Sequence, residues 1–325
     1  MKKKLLVLFV IGLMVLVACQ KDESKSGGND NNSSKEKIEI EDGFGTQTFD
    51  NVQEKVVALE WSIVEELLTV DVQPVGVADI EGFNKWVTID AKIADNVVDV
   101  GTRTEPNIEE IAKLEPDVII GIKGRHEAVK DQLEKIAPVV LYDGSTPEAV
   151  ENLYEHALKT LRQTAKLVGK ADAAEEAITS LEEKMQGAKE TVESLELASN
   201  KFLFTQAFTV NEAPTFRLFA NNSIVSQVME GMGLENIMDE NGEGSGMIET
   251  SVEGITPYQE SMLFYTVQED DPLFSKLENH AGWNNFTFVK EEQLYDVGAG
   301  LWTFGSVLSM ETLVDHVEEA LHATQ

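Results

Sequence analysis

The stretch GTRTEPNIEEIAKLEPDVIIGIKGRH, residues 101–126, contains a loop, a helix and a strand in succession. Pro106 suits the first turn of a helix, where its missing N–H leaves no hydrogen bond unmade. Apolar residues recur at helical spacing from 108 to 114, as in a helix that packs on a sheet. The apolar run DVIIGI (117–122) then predicts a strand buried on both faces. The unit therefore indicates an α/β fold.

Basic side chains stand at both ends of this unit. Arg103 follows the strand-like run NVVDVG (96–101), and Arg125 and His126 follow the next strand. Ligands of open α/β sheets bind beyond the carboxyl ends of the strands, so we expect these residues at one edge. The planar guanidinium group can hold a carboxylate through two parallel hydrogen bonds. The sequence thus predicts an anion site there, with Arg217 of the second half facing it.

Apolar runs alternate with helical patterns along both halves of the chain. Residues 171–197 are rich in Ala, Glu and Lys and lack proline, which favours one long helix. We therefore predict two lobes with central, mainly parallel sheets (41–170 and 198–325), joined by this rigid helix, with a ligand cleft between them. A dimeric coiled coil is the rival interpretation of the long helix, but its apolar repeat is irregular. Strands are predicted at VVALEW (56–61), VGVAD (75–79), DVIIGI (117–122), PVVLYD (138–143), KFLFTQAF (201–208), SMLFYTV (261–267) and QLYDVG (293–298).

The two halves also repeat a short pattern at a constant offset of 144 residues. Setting Ile108 against Val252 pairs Glu109 with Glu253 and the run DVII with SMLF. In both copies a helix is expected to lead into a parallel strand, with a glutamate near the helix start. The repeat supports two similar lobes.

The amino terminus predicts export and lipid anchoring. MKKK followed by LLVLFVIGLMVLVA reads as a signal peptide over residues 1–18, too short for a good membrane span. It ends before Cys19, the only cysteine, which resembles the lipidated residue of a bacterial lipobox and leaves no disulfide partner. The polar, Gly/Ser/Asn-rich residues 19–40 then predict a flexible tether.

The chain is strongly acidic. Its formal net charge is −32, and loss of residues 1–18, which carry three lysines and no acid, makes it −35. We expect no nucleic-acid partner, because phosphate binding needs a basic face. A local basic pocket remains compatible with this surface, since exposed charges are screened over about 8–10 Å.

Several of these motifs together resemble one family. The lipobox and tether, GTRTEPNIEEIAKLEPDVIIG, the long helix, FRLFANNSIVSQVMEGMGLENI (216–237) and WTFGSVLS (302–309) resemble the ferric-siderophore binding lipoproteins of Gram-positive ABC importers. That class, shared with vitamin B12 binding proteins, implies two α/β lobes, one rigid helix and modest closure. It also implies a lipid-anchored monomer on the outer face of the cell membrane, working with separate permease and ATPase chains.

The resemblance also assigns roles to residues. Arg103 and Arg125 resemble the first-lobe arginines of members that bind citrate-type siderophores, so carboxylate ligands of iron are favoured and hydroxamates come next. From their positions, His126 and Arg217 are expected to contact the same ferric siderophore. The metal is then part of the ligand, so no separate cofactor is expected. Trp86 and Trp302 are candidates for packing against the ligand. Glu109 and Glu253 are implied to pair with arginines of the permease; the residues alone indicate only acids that complement a helix dipole.

Other classes fit the sequence less well. It has no P-loop, GxSxG, HExxH or CxxC motif, so we expect no enzyme. A direct metal carrier would need converging ligands, whereas the five histidines are scattered. A haem- or cobalamin-binding protein of the same fold remains the alternative.

Overall fold

The computed structural model describes residues 37–323, which belong to one compact unit. The predicted signal peptide, the lipidated Cys19 and most of the tether lie outside the described residues. None of the helices within residues 37–323 combines the length and the apolar character that crossing a membrane requires.

Within residues 37–323, thirteen strands form three sheets. They are β1 (Ile38–Asp42), β2 (Gly45–Phe49), β3 (Val56–Ala58), β4 (Gly76–Val77), β5 (Val98–Asp99), β6 (Val118–Ile122), β7 (Val139–Tyr142), β8 (Lys201–Val210), β9 (Ala213–Phe219), β10 (Glu235–Asn236), β11 (Met247–Thr250), β12 (Met262–Thr266) and β13 (Leu294–Asp296).

Twelve α-helices and three short 3₁₀ helices surround these sheets in the described part of the chain. The α-helices are α1 (Trp61–Thr69), α2 (Ile80–Trp86), α3 (Ile108–Leu114), α4 (Lys123–His126), α5 (Lys130–Leu133), α6 (Pro147–Glu151), α7 (Leu153–Leu167), α8 (Ala171–Ser194), α9 (Ile224–Gly231), α10 (Leu273–Leu277), α11 (Thr287–Lys290) and α12 (Val307–Ala323). The 3₁₀ helices are Glu127–Val129, Val252–Tyr258 and Trp283–Asn285.

The first lobe contains a parallel sheet, and the second contains a mixed one. Strands of the first lobe lie in the order β5-β4-β3-β6-β7, all parallel. Those of the second lie in the order β11-β9-β8-β12-β13, with β10 beside β8. The pairings of β8 with β10 and β12 and of β12 with β13 are parallel, as predicted, but β9 runs antiparallel to both neighbours and makes the sheet mixed. The reason is a two-residue hairpin at Asn211 and Glu212, whose positive φ angles suit a tight turn between twisted strands.

The predicted repeat appears in the sheet topology. Strands β3, β4, β5, β6 and β7 hold the same sheet positions as β8, β9, β11, β12 and β13. Helix α3 leads into β6, and the 3₁₀ helix Val252–Tyr258 leads into β12. The second copy is a 3₁₀ helix with Pro257 inside it, and a proline cannot donate the hydrogen bond of an α-helix interior.

Helix α8, 24 residues long, lies where the long helix was predicted. Its buried face packs against α7, α9 and α12, and α12 also contacts α1 of the first lobe. One hydrophobic core contains Val56 and Val118 of the first sheet together with Phe204 and Phe264 of the second. Because the lobes share this core, large movements between them would expose apolar surface, and we expect closure on a ligand to be modest.

Two local predictions were wrong in detail. The run VVALEW is a strand only to Ala58, and Trp61 begins α1, because helical spacing continues through Ile63, Val64 and Leu67. The helical spacing of HEAVKDQLEKIA (126–137) predicts one continuous helix after β6, but the structure has α4, a 3₁₀ turn and α5 in succession.

Candidate ligand-binding cleft

A cavity of about 430 Å³ lies between the two lobes, at the carboxyl ends of β3, β4 and β5. We call it the arginine cavity. First-lobe residues reach it from the segments that follow these strands, as open α/β sheets favour. Second-lobe residues reach it from β8, β9, the end of β12 with the loop after it, and the loop before α12. The lining residues are Trp61, Trp86, Arg103, Gln206, Ala207, Phe208, Arg217, Thr266, Gln268, Asp270, Asp271, Trp302 and Phe304.

Arg103 packs against two tryptophan rings. Its guanidinium carbon lies 3.6 Å from the centre of the Trp61 ring and 5.6 Å from that of Trp302. The two indoles meet edge to face with centroids 5.0 Å apart, and Trp61 Nε1 donates to the carbonyl oxygen of Asp79 at 3.1 Å. Stacking of this kind fixes the plane of the guanidinium group and leaves its edge free for hydrogen bonds.

Glu60 is a buried carboxylate between two of the predicted arginines. Arg103 donates from Nη1 to Glu60 Oε2 at 3.1 Å, and Arg125 Nε lies 3.0 Å from Oε1 as an ion pair without hydrogen-bond alignment. Glu60 is only 6% exposed, so its charge needs these partners. Arg125 itself is not among the residues that line the cavity. Glu60 was not predicted, because in the sequence it belongs to the apolar run VVALEW and reads as part of a strand.

His126 does not line the cavity but contacts the backbone of the loop that carries Arg103. It is fully buried, and its Nε2 lies 2.8 Å from the carbonyl oxygen of Arg103. Its Nδ1 lies 3.1 Å from the backbone nitrogen of Ile122. Burial lowers the pKa of His126, which favours the neutral ring with Nε2 donating and Nδ1 accepting. The expected ligand contact is therefore corrected to a role in holding the Arg103 loop.

Arg217 reaches the cavity from the second lobe, on β9. Its Nε lies 3.3 Å from Glu249 Oε2, and its Nη1 donates to Gln206 Oε1 at 3.3 Å. The guanidinium carbon lies 4.6 Å from the centre of the Phe208 ring. Each lobe thus contributes one arginine that is packed on an aromatic ring and already paired with a glutamate. Since an arginine has five N–H donors, both retain capacity for a ligand oxygen.

Aromatic and acidic residues that were not predicted also line the cavity. Trp61, Phe208 and Phe304 join Trp86 and Trp302 around the cavity. The signal for Trp61 was its place at the end of the first predicted strand. Acidic residues also line the second-lobe side, at Asp270 and Asp271. Within residues 37–323, no three His, Cys, Asp or Glu side chains are grouped so that they could hold a metal ion.

Glu109 and Glu253 lie away from this cavity at equivalent places in the two lobes. Glu109 is exposed in the first turn of α3, whose N-terminus is capped by Asn107 Oδ1. Glu253 is exposed in the first turn of the 3₁₀ helix, and Ser251 Oγ donates to its carboxylate at 2.7 Å. That hydrogen bond lowers the pKa of Glu253, so the group stays ionised at neutral pH.

Comparison with known proteins decides the family, because the family model named periplasmic binding protein matches residues 56–300. The chain belongs to this family. A putative ABC transporter substrate-binding lipoprotein of Bacillus subtilis, YhfQ, is 28% identical over 100% of both chains. The Fe(3+)-citrate-binding protein YfmC of B. subtilis is 25% identical over 93% of this chain and 91% of its own. The predicted resemblance is thereby confirmed.

A solved structure gives the same fold. The siderophore-binding protein FhuD of Vibrio cholerae, bound to Fe3+–Desferal, matches with a TM-score of 0.72 and 24% identity. The match covers 83% of this chain and 98% of the other. This confirms the two-lobe α/β prediction. The relatives are substrate-binding proteins of ABC transporters and not enzymes, and the comparisons do not favour the haem or cobalamin alternative.

Proposed function

We propose that this protein captures a ferric siderophore in the arginine cavity and delivers it to an ABC permease for iron uptake. The observation that carries the proposal is that Arg103 and Arg217, from opposite lobes, line one cavity walled by tryptophans. The protein acts as a lipid-anchored monomer on the outer face of the membrane, attached through Cys19. Separate chains supply the permease and ATPase, and iron is cargo, so no resident cofactor is involved.

A citrate-type carboxylate chelate is the leading ligand. The free N–H groups of Arg103 and Arg217 suit carboxylate oxygens, and each charge-assisted hydrogen bond contributes about 1.5–3 kcal/mol. Micromolar affinity needs about 8 kcal/mol, so burial against the tryptophans must supply the rest. The relative named as an Fe(3+)-citrate-binding protein supports this choice.

A ferric hydroxamate is the second candidate, favoured by a specific observation. Both cavity arginines already have carboxylate partners, Glu60 and Glu249, and Asp270 and Asp271 add negative charge to the lining. A cavity without net positive charge and with five aromatic side chains suits a weakly charged chelate better than a highly anionic one.

Tryptophan fluorescence tests both candidates. Three of the four tryptophans line the cavity, so a bound ferric complex is expected to quench most of the emission. The chain from Cys19 onward would be titrated with ferric citrate, a ferric hydroxamate, a ferric catecholate, haem and cobalamin. Saturable quenching by one ferric chelate supports the proposal and identifies its class. A response to haem or cobalamin alone would overturn it.

Docking on the permease gives a second prediction, on Glu109 and Glu253. The double variant Glu109→Ala/Glu253→Ala is expected to bind the ferric ligand normally, since neither residue lines the cavity. Iron uptake by cells should fall by about tenfold or more, because two interfacial ion pairs, each on the order of 1 kcal/mol, are lost. Glu176→Ala, at an exposed acid on α8, is the matched control. Normal uptake by the double variant would exclude the docking role.

A further inference from the structure

A second cavity of about 280 Å³ opens farther along the same edge of the first-lobe sheet. We call it the side cavity. The segments that follow β6 and β7 contribute Gly124 and Ser145, α7 contributes Ala157, and the loop before α12 contributes Thr303. Phe304 lines both this cavity and the arginine cavity. The interlobe cleft therefore has two adjoining compartments, one over β3, β4 and β5 and one over β6 and β7.

The side cavity is mainly apolar. Its walls include aliphatic side chains from both lobes, namely Ile63, Ile122, Leu153, Ala157 and Ile224. In contrast to the arginine cavity, it has no arginine or lysine among the described residues that line it.

The ionisable side chains that line the side cavity are either neutral or already paired with an oppositely charged group. Burial raises the pKa of Glu66 to about 8, so this residue is mostly protonated at neutral pH. Burial lowers the pKa of His156, which keeps its ring neutral. Asp143 is ionised but lies 3.0 Å from Lys123 Nζ and accepts from Ser145 Oγ at 2.6 Å. A charged ligand group would find no counter-ion here.

Thr303 supplies an independent observation. The residue is 4% exposed and lines the side cavity, yet its Oγ1 has no hydrogen-bond partner. Buried hydroxyl groups are nearly always paired, because an unmade hydrogen bond is costly. The Oγ1 atom is itself buried, so it can pair with a ligand atom only after the side chain rotates about its Cα–Cβ bond toward the cavity.

We propose that the side cavity takes an uncharged, mainly aliphatic arm of the ferric chelate, and that the Thr303 hydroxyl hydrogen-bonds to a polar atom on that arm. This rests on the proposed function, since the iron-bearing part of the same ligand occupies the arginine cavity. It narrows the ligand class to chelates with an extended organic arm and disfavours a compact complex.

The variant Ala157→Leu tests the cavity by partly filling it. The probes are ferric desferrioxamine B, whose hydroxamates are joined by aliphatic linkers, and ferric acetohydroxamate, which has the same chelating group without linkers. Displacing about two methylene groups should weaken binding of the linked chelate by about tenfold and leave the compact one unchanged. Ala171→Leu, at an exposed residue of α8, is the matched control, and thermal unfolding verifies that both variants fold.

Thr303 gives a second measurement that does not depend on filling the cavity. Thr303→Val keeps the shape and removes the unpaired hydroxyl, whereas Thr303→Ser keeps the hydroxyl. Thr303→Val is expected to unfold at a higher temperature without ligand and to bind ferric desferrioxamine B several-fold more weakly. Thr303→Ser should bind as the wild-type protein does. Equal binding by both variants would exclude the hydrogen bond.

The outcomes separate this inference from the proposed function. If the wild-type protein binds neither these probes nor ferric citrate or a ferric catecholate, the proposed function fails. If it binds ferric citrate or another compact complex but not the linked chelate, the function stands and the inference fails. If it binds the linked chelate and Ala157→Leu binds it equally well, the inference also fails. Only a loss confined to the linked chelate supports it.

Discussion

Glu66→Gln is expected to be more stable than the wild-type protein above pH 8 and equally stable near pH 4.5. Glu66 is buried in α1, where the hydroxyl groups of Thr160 and Thr164 donate to its two oxygens at 2.6 and 2.5 Å. No cation pairs with it among its described contacts. Burial, opposed by these two hydrogen bonds, raises its pKa from 4.5 to about 8. The fold therefore favours the protonated form, which glutamine resembles in shape.

The sign of the pH dependence follows from proton binding. Between about pH 4.5 and pH 8 the folded state holds a proton on Glu66 that the unfolded state has lost. The free energy of unfolding then falls as the pH rises, by up to about 1.4 kcal/mol per unit, and becomes constant above the folded-state pKa. Between about pH 4.5 and pH 8, the free energy of unfolding of the wild-type protein falls by an amount on the order of several kcal/mol through Glu66 alone.

Urea unfolding of both proteins across this pH range measures the effect. Glu65, the neighbouring residue, also has a pKa raised by burial, to about 7, so both proteins keep that part of the slope. The informative quantity is the difference between them, which should grow from nothing near pH 4.5 to its maximum above pH 8. Glu176→Gln, at an exposed site on α8, should give no such divergence. A difference that is constant with pH would contradict the assignment.

Much of the fold was predictable because its signals are local. The apolar runs that predicted strands contain β3, β4, β6, β7, β12 and β13. The helix predicted for residues 171–197 is present as Ala171–Ser194. Apolar character and helix propensity act over a few residues, so they can be read directly from the chain. The hairpin between β8 and β9 was missed because tight-turn geometry at Asn211 and Glu212 outweighed the parallel pattern of the other lobe.

Buried carboxylates were not predictable, because their partners are distant in sequence. Glu65 accepts hydrogen bonds from the backbone of Ser306 and Ser309, 241 and 244 residues away, and so satisfies the first turn of α12. Glu66 meets Thr160 across 94 residues. In the sequence both acids simply interrupt an apolar run. The same limit applies to the site, where Arg103 and Arg217 were predicted from the sequence but the glutamates paired with them were not.

Arg103→Ala is expected to weaken binding of the ferric ligand by about 100-fold, close to 3 kcal/mol. The variant loses charge-assisted hydrogen bonds to the ligand and the cation stacked 3.6 Å from Trp61. Fluorescence titration measures the change through Trp86 and Trp302. Arg162→Ala is the matched control, because Arg162 is paired with exposed Glu175 and lies outside the arginine cavity. Equal loss in both variants would exclude a specific role for Arg103.

Glu60→Gln tests whether the Arg103 guanidinium group binds the ligand mainly through its positive charge or mainly through the orientation that Glu60 gives it. The change removes the negative charge 3.1 Å from Arg103 and keeps a side chain of the same size to hold the arginine in place. If the cavity attracts its ligand by charge, a carboxylate chelate should bind about tenfold more tightly, while a weakly charged hydroxamate should bind nearly as before. If Glu60 mainly orients the guanidinium group, both chelates should bind more weakly. Arg103, Arg125 and Glu60 form one connected group, so loss of either arginine also disturbs Glu60. Whether Glu60→Gln strengthens or weakens binding of each chelate therefore distinguishes a carboxylate ligand from a hydroxamate ligand more directly.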